Sequence, residues 1–351
     1  NKNPVNFFLN NAECFPNLNS LQIMGYENDD VESESSLFDK EFDELKKLTQ
    51  LKELNLMLSA SQMILFSKTC VLPVSLRTLS ITSTGIKTQE DAKDILNSSH
   101  FCQAVGALDN LRSFSFDFIT SIVFGPEDTT ESIEIIEMLI LSLTNQLEDL
   151  HLALSCSVTS TRPPNRSILP LISAHFSDLK SLYLNIRGLK ITDEMFQVSD
   201  ATTPPLKKLV TYHIEPLTAF LDKLNSQSGC LETLDISLDS DVSFSKFSEF
   251  LGIVRYFTSL RYLRLQALTI TDRGNKLLNS FFHIFENCTK LREFYLYWGE
   301  SKSKAVENSF INMLNSRRDI LFAEISFSDG NRIIKNPMDK IRKIERGQFV
   351  E

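Results

Sequence analysis

The chain has 351 residues, of which 42% are hydrophobic and 23% are charged. That composition is typical of a folded protein, and no run of the sequence approaches the roughly 18 apolar residues that a membrane-spanning helix needs. The formal net charge of -9 opposes binding to nucleic acid, whose phosphates require a basic surface. We therefore expect no membrane span and no nucleic-acid partner.

The six cysteines are scattered along the chain, and no two of them form a CxxC pair. A metal site would need ligands at closer spacing, so we predict that no metal is bound. The first residues, Asn-Lys-Asn-Pro, lack the basic and apolar segments of a secretory signal peptide. Reduced cysteines in a reducing compartment fit this sequence better than disulfides do. We predict an intracellular protein, cytoplasmic or nuclear.

An acidic insertion covers residues 27–45, where nine acids stand against one base, Lys40, for a local charge of 1 - 9 = -8. The Asp, Glu and Ser content of its first ten residues predicts a solvated loop, with a helix that resumes near Leu37. An acidic arm that docks on a partner is the alternative interpretation.

One pattern, Leu-x-x-Leu-x-Leu, recurs eleven times, and successive copies start 25 to 36 residues apart. The starting residues are Leu18, Leu51, Leu76, Leu111, Leu147, Leu179, Leu206, Leu231, Leu260, Leu291 and Phe322. Alternation at the fourth to sixth positions predicts a short strand, because side chains along a strand point to opposite faces in turn. Of the residues at the fourth and sixth positions, only Thr211 is polar.

Helical spacing follows most of these strands. The predicted helices are Glu90 to Leu96, Ser132 to Leu143, Ile168 to His175, Leu217 to Leu224, Phe244 to Val254, Asn275 to Phe285 and Val306 to Leu314. A strand and helix of about 30 residues cannot bury both apolar faces alone, so the units must stack. The sequence therefore predicts an α/β solenoid, a curved horseshoe with a parallel inner sheet and outer helices.

The eleven copies, from about Phe15 to Phe327, resemble the leucine-rich-repeat family. The stretch LRYLRLQALTITDRGNKLL, followed by NCTKLREFYL, is similar to the cysteine-containing repeats of F-box proteins. The irregular lengths of the other copies resemble ribonuclease-inhibitor-like members. The resemblance implies one repeat domain over residues 1–351. If the array bends or breaks, we expect this between Ala201 and Pro216, where prolines surround the weakest copy.

The last segment, residues 332–351, carries several basic residues among apolar ones at helical spacing. These are Lys335, Lys340, Arg342, Lys343 and Arg346, with Met338, Ile341 and Ile344. A terminal repeat needs its exposed edge covered, so we predict a C-terminal capping helix. A basic arm that docks on an acidic surface is the alternative.

Catalysis is not predicted for this chain. A nucleophile with its base, a metal cluster or a phosphate-binding loop each requires a recognisable spacing, and the sequence has none of them. The five histidines also stand far apart in the chain. We expect no cofactor and no small-molecule substrate.

Binding of a protein partner through the concave face of the solenoid, as an adaptor or regulator, is the predicted function. Two alternatives stay open. The chain could be a structural subunit of a large, stable intracellular assembly. It could also be the substrate-recognition part of a ubiquitin ligase, as the F-box resemblance implies, with the F-box missing from this chain.

The tyrosines indicate where a partner would bind. The third, fifth and seventh positions of the copies face the concave surface, and a random distribution would place 7 × 33/351, or about 0.7, of the seven tyrosines there. Five fall there, together with Arg264, and none of the 26 phenylalanines does in this alignment of the copies. Tyr, Trp and Arg dominate binding hot spots. The predicted contact residues are Tyr183, Tyr212, Tyr262, Arg264, Tyr295, Tyr297 and the adjacent Trp298.

Overall fold

The computed structural model describes fifteen segments of the chain: residues 14–25, 42–86, 94–95, 98–124, 136–158, 168–186, 204–214, 218–227, 230–238, 242–267, 276–298, 304–327, 332–335, 341–345 and 348–350. The chain divides into two compact units. One comprises Asn1–Leu179 and Tyr183–Leu189, and the other comprises Lys180–Leu182 and Lys190–Glu351. The single domain over residues 1–351 stays a prediction.

The first unit alternates strands and helices. Its strands β1 (Ser20–Met24), β2 (Glu53–Ser59), β3 (Thr78–Ile86), β4 (Ser113–Phe124) and β5 (Asp149–Val158) are parallel neighbours in chain order. The helices of this unit are α1 (Ala60–Thr69), α2 (Ser99–Gly106) and α3 (Leu169–His175), with a 3-10 helix at Phe42–Lys47 and helical residues at 136–142. Strand β6 (Ser181–Ile186) has residues in both units.

The second unit also alternates strands and helices, and it ends in three antiparallel strands. Strands β7 (Lys208–Ile214), β8 (Thr233–Leu238), β9 (Tyr262–Ala267), β10 (Glu293–Trp298) and β11 (Phe322–Phe327) are parallel and follow chain order. Between them lie α4 (Thr218–Gln227), α5 (Phe244–Val254), α6 (Lys276–Asn287) and α7 (Lys304–Ser316). Strands β12 (Arg332–Lys335), β13 (Ile341–Glu345) and β14 (Gln348–Val350) continue the sheet antiparallel.

These elements confirm the predicted α/β fold with a mostly parallel sheet. The arrangement is compatible with a solenoid, whereas the number of repeats and the horseshoe curvature stay predictions. None of the helices in the described segments is long and apolar enough to cross a membrane.

Within each unit, backbone hydrogen bonds tie a copy of the pattern to the one before it. The amide of a copy's second residue donates to the carbonyl of the second residue in the preceding copy, as Arg77 does to Lys52 and Arg292 does to Arg261, both at 2.8 Å. Leu321 donates in the same way to Arg292. The last copy therefore starts at Ile320, and the predicted start at Phe322 is wrong by two residues.

The side chains at the fourth and sixth positions form the core between the sheet and the helices. In the second unit, Phe281 of α6 packs on Phe294 and Trp298 of β10, with ring centroids 6.3 and 5.8 Å apart. Phe281 also lies 5.8 Å from Phe310 of α7. Alternate residues of β9 and β10 are buried in this core, as the period of two predicts.

The helix predictions succeed where apolar spacing is strong. The prediction for Phe244–Val254 matches α5 residue for residue, while α1 and α2 were not predicted. Most of Glu90 to Leu96 lies outside the described residues. So do residues 27–41 of the acidic insertion, whose last part is the 3-10 helix with Phe42 and Leu45 buried.

The predicted C-terminal capping helix is wrong, because the described residues of segment 332–351 form β12, β13 and β14 instead. The β-branched Ile333 and Ile334 favour a strand. In addition, β12 pairs with β11, which would otherwise be an edge strand with unpaired backbone groups. Whether residues 332–351 act as a cap or as a basic arm stays a prediction.

Candidate protein-binding surface

The second unit presents one face of its sheet away from the helices. We call this the open face; it consists of the third, fifth and seventh positions on β8 to β11. In strand order, the third positions are Thr233, Tyr262, Glu293 and Phe322, the fifth are Asp235, Arg264, Tyr295 and Glu324, and the seventh are Ser237, Gln266, Tyr297 and Ser326. On β9 and β10 these side chains are half-buried or exposed, and those between them are buried.

Three rings cross the open face as a continuous aromatic row: Tyr262, Tyr295 and Phe322. The ring centroids of Tyr262 and Tyr295 are 5.3 Å apart with a 37° interplanar angle, and those of Tyr295 and Phe322 are 5.2 Å apart with a 31° angle. Contacts of this kind hold aromatic side chains in place beyond the effect of buried area. The three rings therefore stabilise one another without a partner.

Sequence reasoning missed Phe322 because the last copy was aligned two residues too late. Phe322 is paired in register with Glu293, a third position, and so lies on the open face. The expectation that no phenylalanine occupies such a position is therefore wrong. The correct alignment could have been found from the apolar Ile320. A copy that starts there follows the copy at Leu291 by 29 residues.

Arg264 lies next to the aromatic row with its charge compensated. Its Nη1 is 3.6 Å from Asp235 Oδ2, and its guanidinium carbon is 5.3 Å from the centroid of the Tyr297 ring. Burial raises the pKa of the Asp235 carboxyl, and the Arg264 charge opposes that shift. Burial, with the nearby Asp235 charge, also raises the pKa of Tyr262 to about 12. The phenol of Tyr262 is thus a neutral hydrogen-bonding group throughout the physiological range.

Two further carboxylates lie beside the aromatic row. The Tyr295 hydroxyl donates to Glu293 Oε2 at 3.3 Å, and the Ser326 hydroxyl donates to Glu324 Oε1 at 3.0 Å. Burial and the neighbouring Glu293 charge raise the pKa of Tyr295. Tyr295 therefore remains protonated and orients the Glu293 carboxylate.

Two predicted tyrosines, Tyr212 and Tyr183, do not belong to the aromatic row. Tyr212 is half-buried on β7 of the second unit. Tyr183 belongs to the first unit, where its ring stacks on His151 with centroids 3.9 Å apart and planes 3° from parallel. At the third, fifth and seventh positions, β3 and β4 carry mainly Ser and Thr. The large aromatic surface thus belongs to the second unit.

Trp298 is a core residue, and its burial contradicts the prediction that it contacts a partner. It is 4% exposed and packs against Phe281, Phe310 and Phe327 at 5.8, 6.1 and 6.4 Å. It occupies the eighth position of its copy, which shares a face with the fourth and sixth. Its neighbour Tyr297 lies on the opposite face.

The five cysteines whose side chains the structure describes differ in burial. Cys70 and Cys288 are buried, Cys102 and Cys230 are half-buried and Cys14 is exposed. Burial raises the pKa of the Cys288 thiol to about 12, against the smaller opposing effect of Arg317. Across the described part of the chain, no three His, Cys, Asp or Glu side chains come together as a metal site would require.

Comparison with models of known protein families finds no match for this sequence, and no curated protein matches it. The leucine-rich-repeat resemblance therefore rests on the recurring pattern alone. Function has to be inferred from the open face itself.

Proposed function

We propose that the protein is a leucine-rich-repeat solenoid of about eleven repeats that binds a protein partner, as an adaptor or regulator, and that the open face of the second unit forms the contact. The observation that supports this most strongly is the aromatic row. Tyr262, Tyr295 and Phe322 contact one another on a half-exposed sheet surface, beside Arg264 and Tyr297.

The physical reason is the entropy of binding. An exposed side chain loses rotamer freedom when a partner packs on it, and that loss reduces affinity. Rings that already hold one another in place lose less, while each still offers a large apolar area. The hydroxyls of the tyrosines and the guanidinium of Arg264 add hydrogen-bonding groups, which is the combination typical of hot spots.

A structural subunit of a stable assembly is the second candidate, and one surface of the first unit favours it. Met138 and Leu141, one turn apart in helical residues 136–142, are 50% and 55% exposed. Apolar side chains exposed on a helix support contacts that do not involve the sheet. An obligate subunit would keep its assembly at high salt, whereas an adaptor would release its partner.

Removing two rings tests the proposal. We expect Tyr262→Ala with Tyr295→Ala to weaken binding of the partner by about 2 kcal/mol or more, because tyrosines are among the residues that dominate hot spots and these two pack on each other in the aromatic row. The measurement is quantitative mass spectrometry of proteins that co-purify with the tagged chain, followed by titration of the partner so identified.

Tyr256→Ala is the matched control, since Tyr256 is 51% exposed and follows α5, away from the open face. The proposal requires partners that the double variant loses and the control retains. Unchanged affinity in the double variant would place the contact elsewhere and favour the structural subunit.

A further inference from the structure

The open face carries one basic side chain, Arg264, and three acidic ones, Asp235, Glu293 and Glu324. Arg264 is paired with Asp235, so that pair contributes no net charge. Glu293 and Glu324 lie beside the aromatic row and form no ion pair with any Lys, Arg or His whose side chain the structure describes, a set that leaves out those of β13. A partner that buries this face must therefore supply positive charge, or two carboxylates would lose hydration without compensation.

Glu293 is the better placed of the two carboxylates. In the register of the sheet it stands between Tyr262 on β9 and Phe322 on β11, with the Tyr295 hydroxyl bonded to its Oε2. The carboxylate is thus oriented by a hydroxyl, has aromatic rings on both neighbouring strands and is exposed. Glu324 lies next to Tyr295 in the row of fifth positions and is held by Ser326.

On the basis of the proposed function, we infer that the partner is a polypeptide that presents an arginine side chain to this surface, paired with Glu293 and packed beside the aromatic row. A guanidinium donates two parallel hydrogen bonds to a carboxylate and packs on flat rings. The lysine ammonium is a compact and strongly hydrated charge that lacks this planar fit. Single-stranded nucleic acid also stacks on aromatic surfaces, but Glu293 and Glu324 repel its phosphates.

The test selects short random peptides, displayed on phage, against the full chain. We expect the selected peptides to be enriched in arginine over the starting library, and we expect this enrichment to be lost on Glu293→Gln with Glu324→Gln. Selected peptides are then synthesised with arginine, lysine or the neutral analogue citrulline. Citrulline should weaken binding by at least about tenfold, because a charge-assisted hydrogen bond is lost.

Glu53→Gln is the matched control. Glu53 is an exposed third position on β2, and its register neighbours there are Ser20 and Thr78 in place of aromatic rings. The control should select the same arginine-containing peptides as the unmodified chain. Circular dichroism of each variant verifies that the fold is retained.

The outcomes separate this inference from the proposed function. If Tyr262→Ala with Tyr295→Ala abolishes peptide binding while the glutamine variants select the same peptides, the surface binds proteins and the arginine inference is wrong. If neither pair of substitutions affects binding, both proposals are wrong. Tight binding of a fluorescent oligothymidine that depends on the two tyrosines would contradict the inference as well, since the surface would then be a nucleic-acid platform.

Discussion

Lys335 shows how a single charged residue can be part of the core. It is 3% exposed, and its Nζ donates to the carbonyls of Leu314 at 3.0 Å and Arg317 at 2.8 Å. Those carbonyls lie at the C-terminal end of α7, where the last turn has no amide partners and a cation is favoured by the helix dipole. Lys335 thus joins β12 to α7.

Replacing this lysine should destabilise the protein. Lys335→Met keeps the length of the apolar stem but leaves two carbonyls without their donor, so we expect a loss of about 1–3 kcal/mol in the free energy of unfolding. Urea denaturation measures it. Arg332→Met is the control on the same strand, because Arg332 is exposed. Equal midpoints for the two variants would show that the lysine does not stabilise the helix end.

At the scale of elements, the turn between α7 and β11 is held by an ionic cluster. Arg317 Nε and Nη2 donate to the two oxygens of Asp319 at 2.8 and 2.7 Å, and Arg292 Nη1 donates to the same carboxylate at 3.0 Å. Arg317 also reaches the carbonyl of Cys288 in the preceding copy. Hydrogen bonding from Arg317 is the main reason that the pKa of Asp319 lies below its ordinary value.

This cluster predicts a pH dependence. A carboxyl whose pKa is lowered in the folded state adds stability above its ordinary pKa and loses it as the pH falls through the lowered value. Asp319→Asn should therefore destabilise the protein at neutral pH, and the difference should vanish in acid, below the ordinary carboxyl range. We expect less than about 1 kcal/mol, because the carboxylate is partly exposed. Thermal unfolding across pH measures it, and a difference that persists in acid would contradict this account.

Strands were easier to predict from sequence than the other elements, for a physical reason. The alternation of apolar residues is enforced by burial on one side of a strand, so the predicted alignment is found from β1 to β5 and from β7 to β10. Helix α1 carries its apolar residues less regularly and was not predicted. The C-terminal segment has apolar spacing that suits a helix, but β12 pairs with β11 and β13 pairs with β12, so both are strands.

The candidate site was predictable to the extent that it depends on alternation. The faces of Tyr262, Arg264, Tyr295 and Tyr297 follow from their positions within each copy. The contacts between them do not, because the ring of a third-position residue meets that of a fifth-position residue on the next strand. The pairing of Arg264 with Asp235 likewise depends on the register between β8 and β9.

At the scale of the whole molecule, each unit buries apolar side chains of its strands against its helices, and the other face of its strands carries more polar side chains. In the second unit that face carries the aromatic row, Arg264 and the carboxylates of Glu293 and Glu324. In the first unit β3 and β4 offer mainly short hydroxyl side chains on the same positions. Our central claim is that the partner binds to the face with the large side chains.

Site-specific photo-crosslinking in cells tests this claim most directly. A benzoylphenylalanine replacing Tyr297 places the reactive group on the open face beside Arg264, and the same residue replacing Tyr256 places it after α5. We expect a discrete crosslinked protein from position 297 and none from position 256. A crosslink from position 256 alone would show that the partner contacts the helical side, and the proposed binding surface would be wrong.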